Sequence, residues 1–330
     1  TEYMTSFNYI KIEEAYKRIK NRILKTPLVE SEYINKITNA KVYFKLENLQ
    51  WTGSFKLRGA MNKISQLDSN QKIKGIVAYS SGNHAQAVAY ASKLYGIRST
   101  IIMPSSAPVI KINNTKKYGA EVILYDPFSS ETREEIANKI VKDQGCTLVK
   151  PYEDLDIIAG QGSSGIEITK ELDELNIFPD IYLCCCGGGG LIAGSSTYLK
   201  YKFPKIKCYS VEPSEFNDTQ ISLEKNKITP VVKGSKSICD ALLAPQPGEI
   251  TFSINRKILS GGLSVSDIEV KKTIIDLAEN LKIICEPGGA VAAAALLNNK
   301  IKVNNKIVVV MISGGNIDNE FFSKMVKDFK

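Results

Sequence analysis

An α/β fold of open, twisted, mostly parallel sheets flanked by helices is predicted by three observations. Short runs of β-formers alternate with segments of helical period along almost all of the 330 residues. The runs are short and rich in β-formers, and they read as buried strands of parallel sheets. Turns of small residues follow several of them directly, where open α/β sheets place their ligands. Seven strands are expected, at 42–46, 76–80, 99–103, 122–125, 181–186, 208–211 and 306–312. Helices are expected at 55–67, 84–95, 109–118, 133–142 and 190–202. Another opens at Ser266-Asp-Ile-Glu269, a capping box in which hydroxyl and carboxylate satisfy each other's orphan amides. The elements within 73–146 can close as a smaller βαβα domain, leaving 1–72 and 147–330 as a larger, discontinuous one.

Composition narrows the function. The apolar 43% and charged 24% are those of a globular chain. The net charge of +8 suits an anionic ligand, yet no basic run is dense enough for nucleic acid. Residues 290–297 and 307–312 are the longest apolar runs and fall far short of a membrane span, and residues 1–8 carry no leader pattern. The single histidine, His84, excludes every site built on two histidine ligands. Seven cysteines form no CxxC pair. Three of them, Cys184, Cys185 and Cys186, sit in an apolar run and are expected to pack as small hydrophobes in a reducing cytoplasm.

Chemistry concentrates where strands end and helices begin. Ser80-Ser-Gly-Asn-His84, Gly187-Gly-Gly-Gly190 and Ser313-Gly-Gly-Asn316 each follow a strand and let a ligand approach the backbone. Four consecutive glycines can turn successive amides inward as an anion nest, reinforced by the start of the next helix, so a phosphate is the natural guest. A flexible connector is the plain alternative. Gly188, Gly190 and Ala193 also fit GxGxxA, with Glu212 ending the next strand, a dinucleotide fingerprint in outline. Lys56 stands at the mouth of a helix in Thr52-Gly-Ser-Phe-Lys-Leu-Arg-Gly59. Desolvated beside an anion site it is a Schiff-base candidate; otherwise it is a solvated surface lysine.

In order and spacing, six segments resemble the fold-type II pyridoxal-phosphate enzymes of the serine racemase, threonine (serine) dehydratase and 3-hydroxyaspartate dehydratase branch. They are Lys45-Leu-Glu-Asn-Leu-Gln50, Gly53-Ser-Phe-Lys-Leu-Arg-Gly-Ala60, Ser80-Ser-Gly-Asn-His-Ala-Gln86, Ile158-Ala-Gly-Gln-Gly162, Gly187 to Gly190 and Ser313-Gly-Gly-Asn316. The resemblance covers nearly the whole chain and implies a cofactor at the interface of two domains, in a homodimer. It implies that Lys56 carries the cofactor and then, freed, removes the substrate α-proton. It places Phe55 against the ring, Asn83 at the 3′-oxygen, and Gly187, Gly188, Gly189, Gly190 and the Leu191 amide around the phosphate. Ser313 falls at the pyridine nitrogen, with Glu286 near the ring and Asn316 in the same shell. A neutral serine there does not enforce a pyridinium, which suits prompt loss of a β-leaving group. The turn holding Ser80, Ser81, Asn83 and His84 would receive the substrate α-carboxylate.

Two positions discriminate within the branch. Ser81 stands where threonine dehydratases usually carry alanine; its hydroxyl can act as a second proton carrier opposite Lys56. Arg133, in Glu131-Thr-Arg-Glu-Glu135, aligns with an arginine that meets a dicarboxylate, and a guanidinium fork suits a second carboxylate. A helix arginine paired with neighbouring glutamates is the alternative, and His84 could support the same carboxylate or only pack. Ala241 replaces a glycine usual in the racemases, and Glu286-Pro-Gly-Gly-Ala290 varies the common turn. Glu212 and Asp218, with the Phe216 carbonyl, match the family's divalent-cation ligands, for Mg²⁺ or Ca²⁺. Too few residues follow Asn316-Ile-Asp318 for the regulatory domain of biosynthetic threonine deaminases. The resemblance thus implies a dehydratase (ammonia-lyase) of β-hydroxy amino acids, with 3-hydroxyaspartate favoured. The alternatives are an amino-acid racemase using Lys56 and Ser81 on two faces, and a nicotinamide-dependent oxidoreductase using Gly188 to Ala193.

Overall fold

A computed structural model describes residues 7–329. Residues 1–6 of the stretch read as free of a leader pattern therefore lie outside the described part.

Ten strands form two sheets: β1 (Leu28–Val29), β2 (Lys41–Leu46), β3 (Ile76–Tyr79), β4 (Ser99–Pro104), β5 (Glu121–Tyr125), β6 (Thr147–Leu148), β7 (Ile181–Cys185), β8 (Lys207–Pro213), β9 (Gly261–Val265) and β10 (Ile307–Ile312). The larger sheet runs β1-β2-β10-β7-β8-β9 and the smaller β5-β4-β3-β6. All pairings are parallel except β1 with β2. The two-sheet, helix-covered architecture is the one expected. All seven expected strands are present, and the expected helices appear as Lys56–Ser65, Asn83–Leu94, Val109–Lys117, Arg133–Gln144 and Gly190–Lys202. The Ser266/Glu269 capping box opens Asp267–Asn280. Three strands were not foreseen. β1 and β6 are two residues long and carry no period, and β9 begins with two glycines. β6 lies just beyond the expected boundary at residue 146 and pairs with β3 of the smaller sheet.

The larger core wraps the six-stranded sheet, with Pro287–Leu297 buried all round except at its last residue. A helix apolar on every face is stable only inside such a layer. The helix that begins at Lys56 is anchored differently. Gly160 lets it lie against Leu155–Glu174, since a Cβ at Gly160 would stand 2.6 Å from the Arg58 carbonyl. Below Lys56, Arg58 bonds both Glu47 and Glu167, and Lys45 Nζ donates to Glu167 at 2.8 Å and to the Thr26 carbonyl at 2.8 Å. Burial opposes the Glu167 charge, yet Arg58 and Lys45 hold its carboxyl at about 2. The four buried charges cancel, and removing any one strands its partners in low dielectric.

Candidate active site

Strand register assembles the site. β10 pairs with β2 up to Ile312 opposite Leu46. Just beyond, Phe55 N donates to the Ser313 carbonyl at 3.1 Å and Ser54 bridges Gly314. The start of the lysine-bearing helix is thereby fastened to the turn after β10. β7, the other neighbour of β10, ends at the same edge in the glycine loop. The Ser80 to His84 turn follows β3 of the smaller sheet. Two adjoining cavities, of ≈ 280 and ≈ 40 Å³, lie between these turns.

The smaller cavity is lined by Phe55, Lys56, Asn83, Cys185, Gly187, Gly188, Gly189, Gly190, Leu191 and Ser313, among others. The larger is lined by Lys56, Ser80, Ser81, Asn83, His84 and Arg133, with Tyr79, Tyr152 and Asp240. Most of the sequence-predicted residues therefore converge on one space. Cys184 and Cys186 pack in the core as expected, whereas Cys185 also reaches the cavity beside Ser313. Glu286 and Asn316 line neither cavity. Glu286 accepts from Asn83 Nδ2 and meets Lys111 Nζ at 3.0 Å; Asn316 donates to Asn83 Oδ1 at 2.9 Å and to the Thr52 carbonyl at 3.0 Å. Both therefore bond Asn83, which itself lines both cavities.

Lys56 Nζ donates to the Pro151 carbonyl at 2.8 Å. Burial lowers its ammonium to about 8, with Cys185 acting against the shift and Arg133 adding to it. A lysine so placed holds a substantial free-amine fraction at mildly alkaline pH. Acylation of Lys56 in the cofactor-free protein is expected to rise with pH through a midpoint near 8, because only the free amine reacts. Exposed lysines keep gaining reactivity towards about 10.4. Peptide mass mapping after labelling at stepped pH checks this; a Lys56 midpoint like that of the exposed lysines contradicts it.

Of the two readings of His84, the geometry favours packing. It is buried, its Nε2 donates to the Val149 carbonyl at 2.9 Å, and burial together with the charges of Lys56 and Arg133 lowers it to about 3. A neutral imidazole whose one proton is already committed offers a carboxylate neither charge nor a donor. His84 therefore does not support a substrate carboxylate; its free Nδ1 is an acceptor.

Arg133 is paired with a neighbouring glutamate and also lines the larger cavity. Its Nε pairs with Glu134 at 3.1 Å, while its guanidinium lies 4.8 Å from the Tyr79 ring centroid on the wall of the larger cavity. The Thr132/Glu135 capping box starts its helix and aims it there. The Ser80 hydroxyl oxygen accepts from Gly82 N at 2.9 Å, which shapes the turn and leaves its own proton to donate.

At the end of β8, Glu212 accepts from the amides of Thr219 and Gln220, each at 2.9 Å. It is fully buried and lines neither cavity, so it does not complete a dinucleotide site with Gly188, Gly190 and Ala193.

Several residues were invisible in the sequence. Tyr152 covers the glycine loop so closely that a Cβ at Gly188 would stand 2.1 Å from its ring. Lys111, fully buried, runs under the Ser80 to His84 turn at Gly82 and pairs with Asp240 at 2.7 Å. Nothing local in the sequence marks either residue.

Comparison with known proteins places this geometry. The family described as pyridoxal-phosphate dependent enzyme matches residues 19–314. L-threo-3-hydroxyaspartate ammonia-lyase of Saccharomyces cerevisiae is 38% identical over 318 residues, 96% of each chain. The catabolic L-threonine dehydratase of Staphylococcus aureus is 43% identical over 314 residues, 93% of this chain and 88% of that one. Among solved structures, maize serine racemase superposes with a TM-score of 0.90 at 33% identity, over 97% of each chain.

Proposed function

Given that this chain belongs to the pyridoxal-phosphate-dependent enzymes and is a lyase among them, a dehydratase of hydroxy amino acids, we propose that its favoured substrate is 3-hydroxyaspartate. The observation that carries the proposal is the guanidinium of Arg133 on the wall of the cavity that Lys56 also lines. A serine or threonine side chain brings that cation no carboxylate, whereas a second carboxylate on the substrate would meet it with charge-assisted hydrogen bonds. The relative from Saccharomyces cerevisiae supports the reading by its name.

The residues fit the cofactor. Among the described residues, none of the amides of Gly188 to Leu191 donates to another group of the chain, which leaves a row of donors for a phosphate. Gly187 to Leu191 would hold that phosphate, Phe55 the ring face, Asn83 the ring oxygen and Ser313 the ring nitrogen, with Lys56 as the attachment. Bound there, pyridoxal phosphate supplies an electron sink that acidifies the substrate α-carbon. The chain does the rest. The Lys56 amine removes the α-proton, the Ser80 to Asn83 turn holds the α-carboxylate, and Arg133 orients the β-carboxylate. Water leaves from the β-carbon, and hydrolysis after release gives an oxo acid and ammonia. Ser81 lines the same cavity, and a proton returned from its hydroxyl to the opposite face would give inversion as a second activity. Reduction of the reconstituted enzyme with borohydride should abolish its visible absorbance and leave one modified peptide, containing Lys56. A modified peptide elsewhere, or none, would sink this assignment.

We also propose a divalent cation, Mg²⁺ or Ca²⁺, at Glu212 and Asp218 with the Phe216 carbonyl. Both carboxyls are buried without a cationic partner among the described residues. Burial pushes both up, Asp218 to about 7 against a lowering bond with Glu212, while for Glu212 the nearby Asp218 adds to the rise. Asp218 Oδ2 has no partner there. No group of three or more His, Cys, Asp or Glu converges among the described residues, so carbonyl and water oxygens would complete the shell. Millimolar Mg²⁺ or Ca²⁺ is expected to raise the melting temperature by a few degrees, about 1–2 kcal/mol at saturation well above Kd. Asp218→Asn should remove the rise; an unchanged rise excludes these ligands.

A homodimer and a cytoplasmic setting complete the proposal. Exposed Leu49, Trp51 and Ile284 lie on segments that Asn48 Nδ2 links to the Ile284 carbonyl, an apolar patch that fits a self-association surface. All seven cysteines are free and buried, as a reducing compartment permits. No helix among the described residues is long and apolar enough to cross a membrane.

A further inference from the structure

The glycine loop does not set its own amide directions. Behind it runs the helix Glu249–Ile258, which lines neither cavity. Thr251, fully buried, donates its hydroxyl proton to the Gly188 carbonyl at 2.6 Å. Asn255, one turn on and 2% exposed, donates Nδ2 to the Gly189 carbonyl at 3.2 Å. That carbonyl also accepts the first bond of Gly190–Lys202, from Ala193 N at 3.1 Å. All peptides here are trans, and in a trans peptide the carbonyl and the following N–H point in opposite directions. Drawing the Gly188 and Gly189 carbonyls towards Glu249–Ile258 therefore turns the N–H groups of Gly189 and Gly190 away from it, towards the cavity those glycines line.

Two further features mark this as a built support. Gly189 has φ +97°, and a Cβ there would stand 2.9 Å from Asn255 Nδ2 and 3.1 Å from the Thr251 Cβ, so the helix presses on the loop where only glycine fits. Asn255 Oδ1 is buried without a partner among the described residues, so the side chain is satisfied only through its donated bond. The helix is itself fixed by Glu153, which accepts from Ile250 N at 3.0 Å and Thr251 N at 3.1 Å. Glu153 directly follows Tyr152, the residue that covers Gly188.

We infer that Thr251, seconded by Asn255, is a positioning residue that orients the glycine-loop amides for the cofactor phosphate. The inference rests on the reading of that loop as the phosphate site. It predicts a loss confined to the phosphate, because the attachment at Lys56 and the ring contacts lie elsewhere.

The test measures equilibrium binding of pyridoxal 5′-phosphate and of unphosphorylated pyridoxal to the cofactor-free protein, by absorbance titration. Thr251→Val keeps the shape and removes the donor. It should weaken pyridoxal-phosphate binding about tenfold, the effect of one hydrogen bond to a loop that must then reorganise, and leave pyridoxal within about twofold. Thr251→Ser should restore tight binding. Asn255→Leu, whose loss also removes the orphaned oxygen, provides a second variant should Thr251→Val not fold; it should shift the same ratio in the same direction. Unchanged preference for the phosphorylated ligand in a folded variant overturns the inference, as does an equal loss of both ligands. A wild-type protein with no preference between the two ligands would instead overturn the phosphate-site reading beneath it.

Discussion

Lys56→Ala is expected to lower oxo-acid release by at least about 10³-fold, because it removes the group that moves the α-proton. The loss should not reflect unfolding. Lys56 opens its helix, its side chain donates to the Pro151 carbonyl, and it stands at a cavity wall rather than in the core. The helix remains anchored by Leu57, Arg58 and Ile64, all fully buried. Melting temperature and far-ultraviolet dichroism should therefore stay near wild type while turnover collapses. Lys56→Arg should not rescue, since a guanidinium stays protonated and is no base. Turnover within tenfold of wild type in a folded Lys56→Ala protein would place the base elsewhere; Ser81, on the same cavity, would be the first candidate.

Arg133→Met is expected to separate substrates instead of abolishing chemistry. For 3-hydroxyaspartate, kcat/KM should fall by roughly 10- to 150-fold, the loss of charge-assisted hydrogen bonds worth about 1.5–3 kcal/mol. For serine and threonine it should change by no more than about threefold, since neither brings a carboxylate to the fork. Stability should hardly move: the Glu134 pair is solvent-exposed, and such pairs contribute little. Steady-state kinetics on the three substrates decides the matter. A parallel decline on all of them would show that Arg133 serves a step common to every substrate, through its charge near Lys56, and not the side-chain carboxylate.

Much of this architecture was legible because parallel strands are buried on both faces. β7 and β10 read as unbroken apolar runs, and the turns that matter follow β3, β7 and β10 directly. Arg133 was singled out by the resemblance alone; the capping box that fixes where its helix starts went unread. What stayed hidden depends on pairs far apart in the chain. Lys111 meets Asp240 129 residues away, and Lys45 meets Glu167 122 residues away. No local period or spacing encodes such a pair, and a buried lysine looks like any other until its partner is known. His84 was found in the right turn with its role left open, because its protonation is decided by burial and by Lys56 and Arg133, none of them its neighbours in sequence. Thr251 and Asn255 escaped for a similar reason. They lie in an ordinary amphipathic helix whose importance comes from the loop it supports.

The central claim is that one cavity brings the base, the cofactor cradle and a cation for a second carboxylate together. Initial rates of oxo-acid release from the 3-hydroxyaspartate stereoisomers, L-serine, D-serine and L-threonine, measured with the reconstituted wild-type enzyme, test it most directly. The account predicts the highest kcat/KM for a 3-hydroxyaspartate isomer. Threonine turnover with none from any 3-hydroxyaspartate isomer would contradict it.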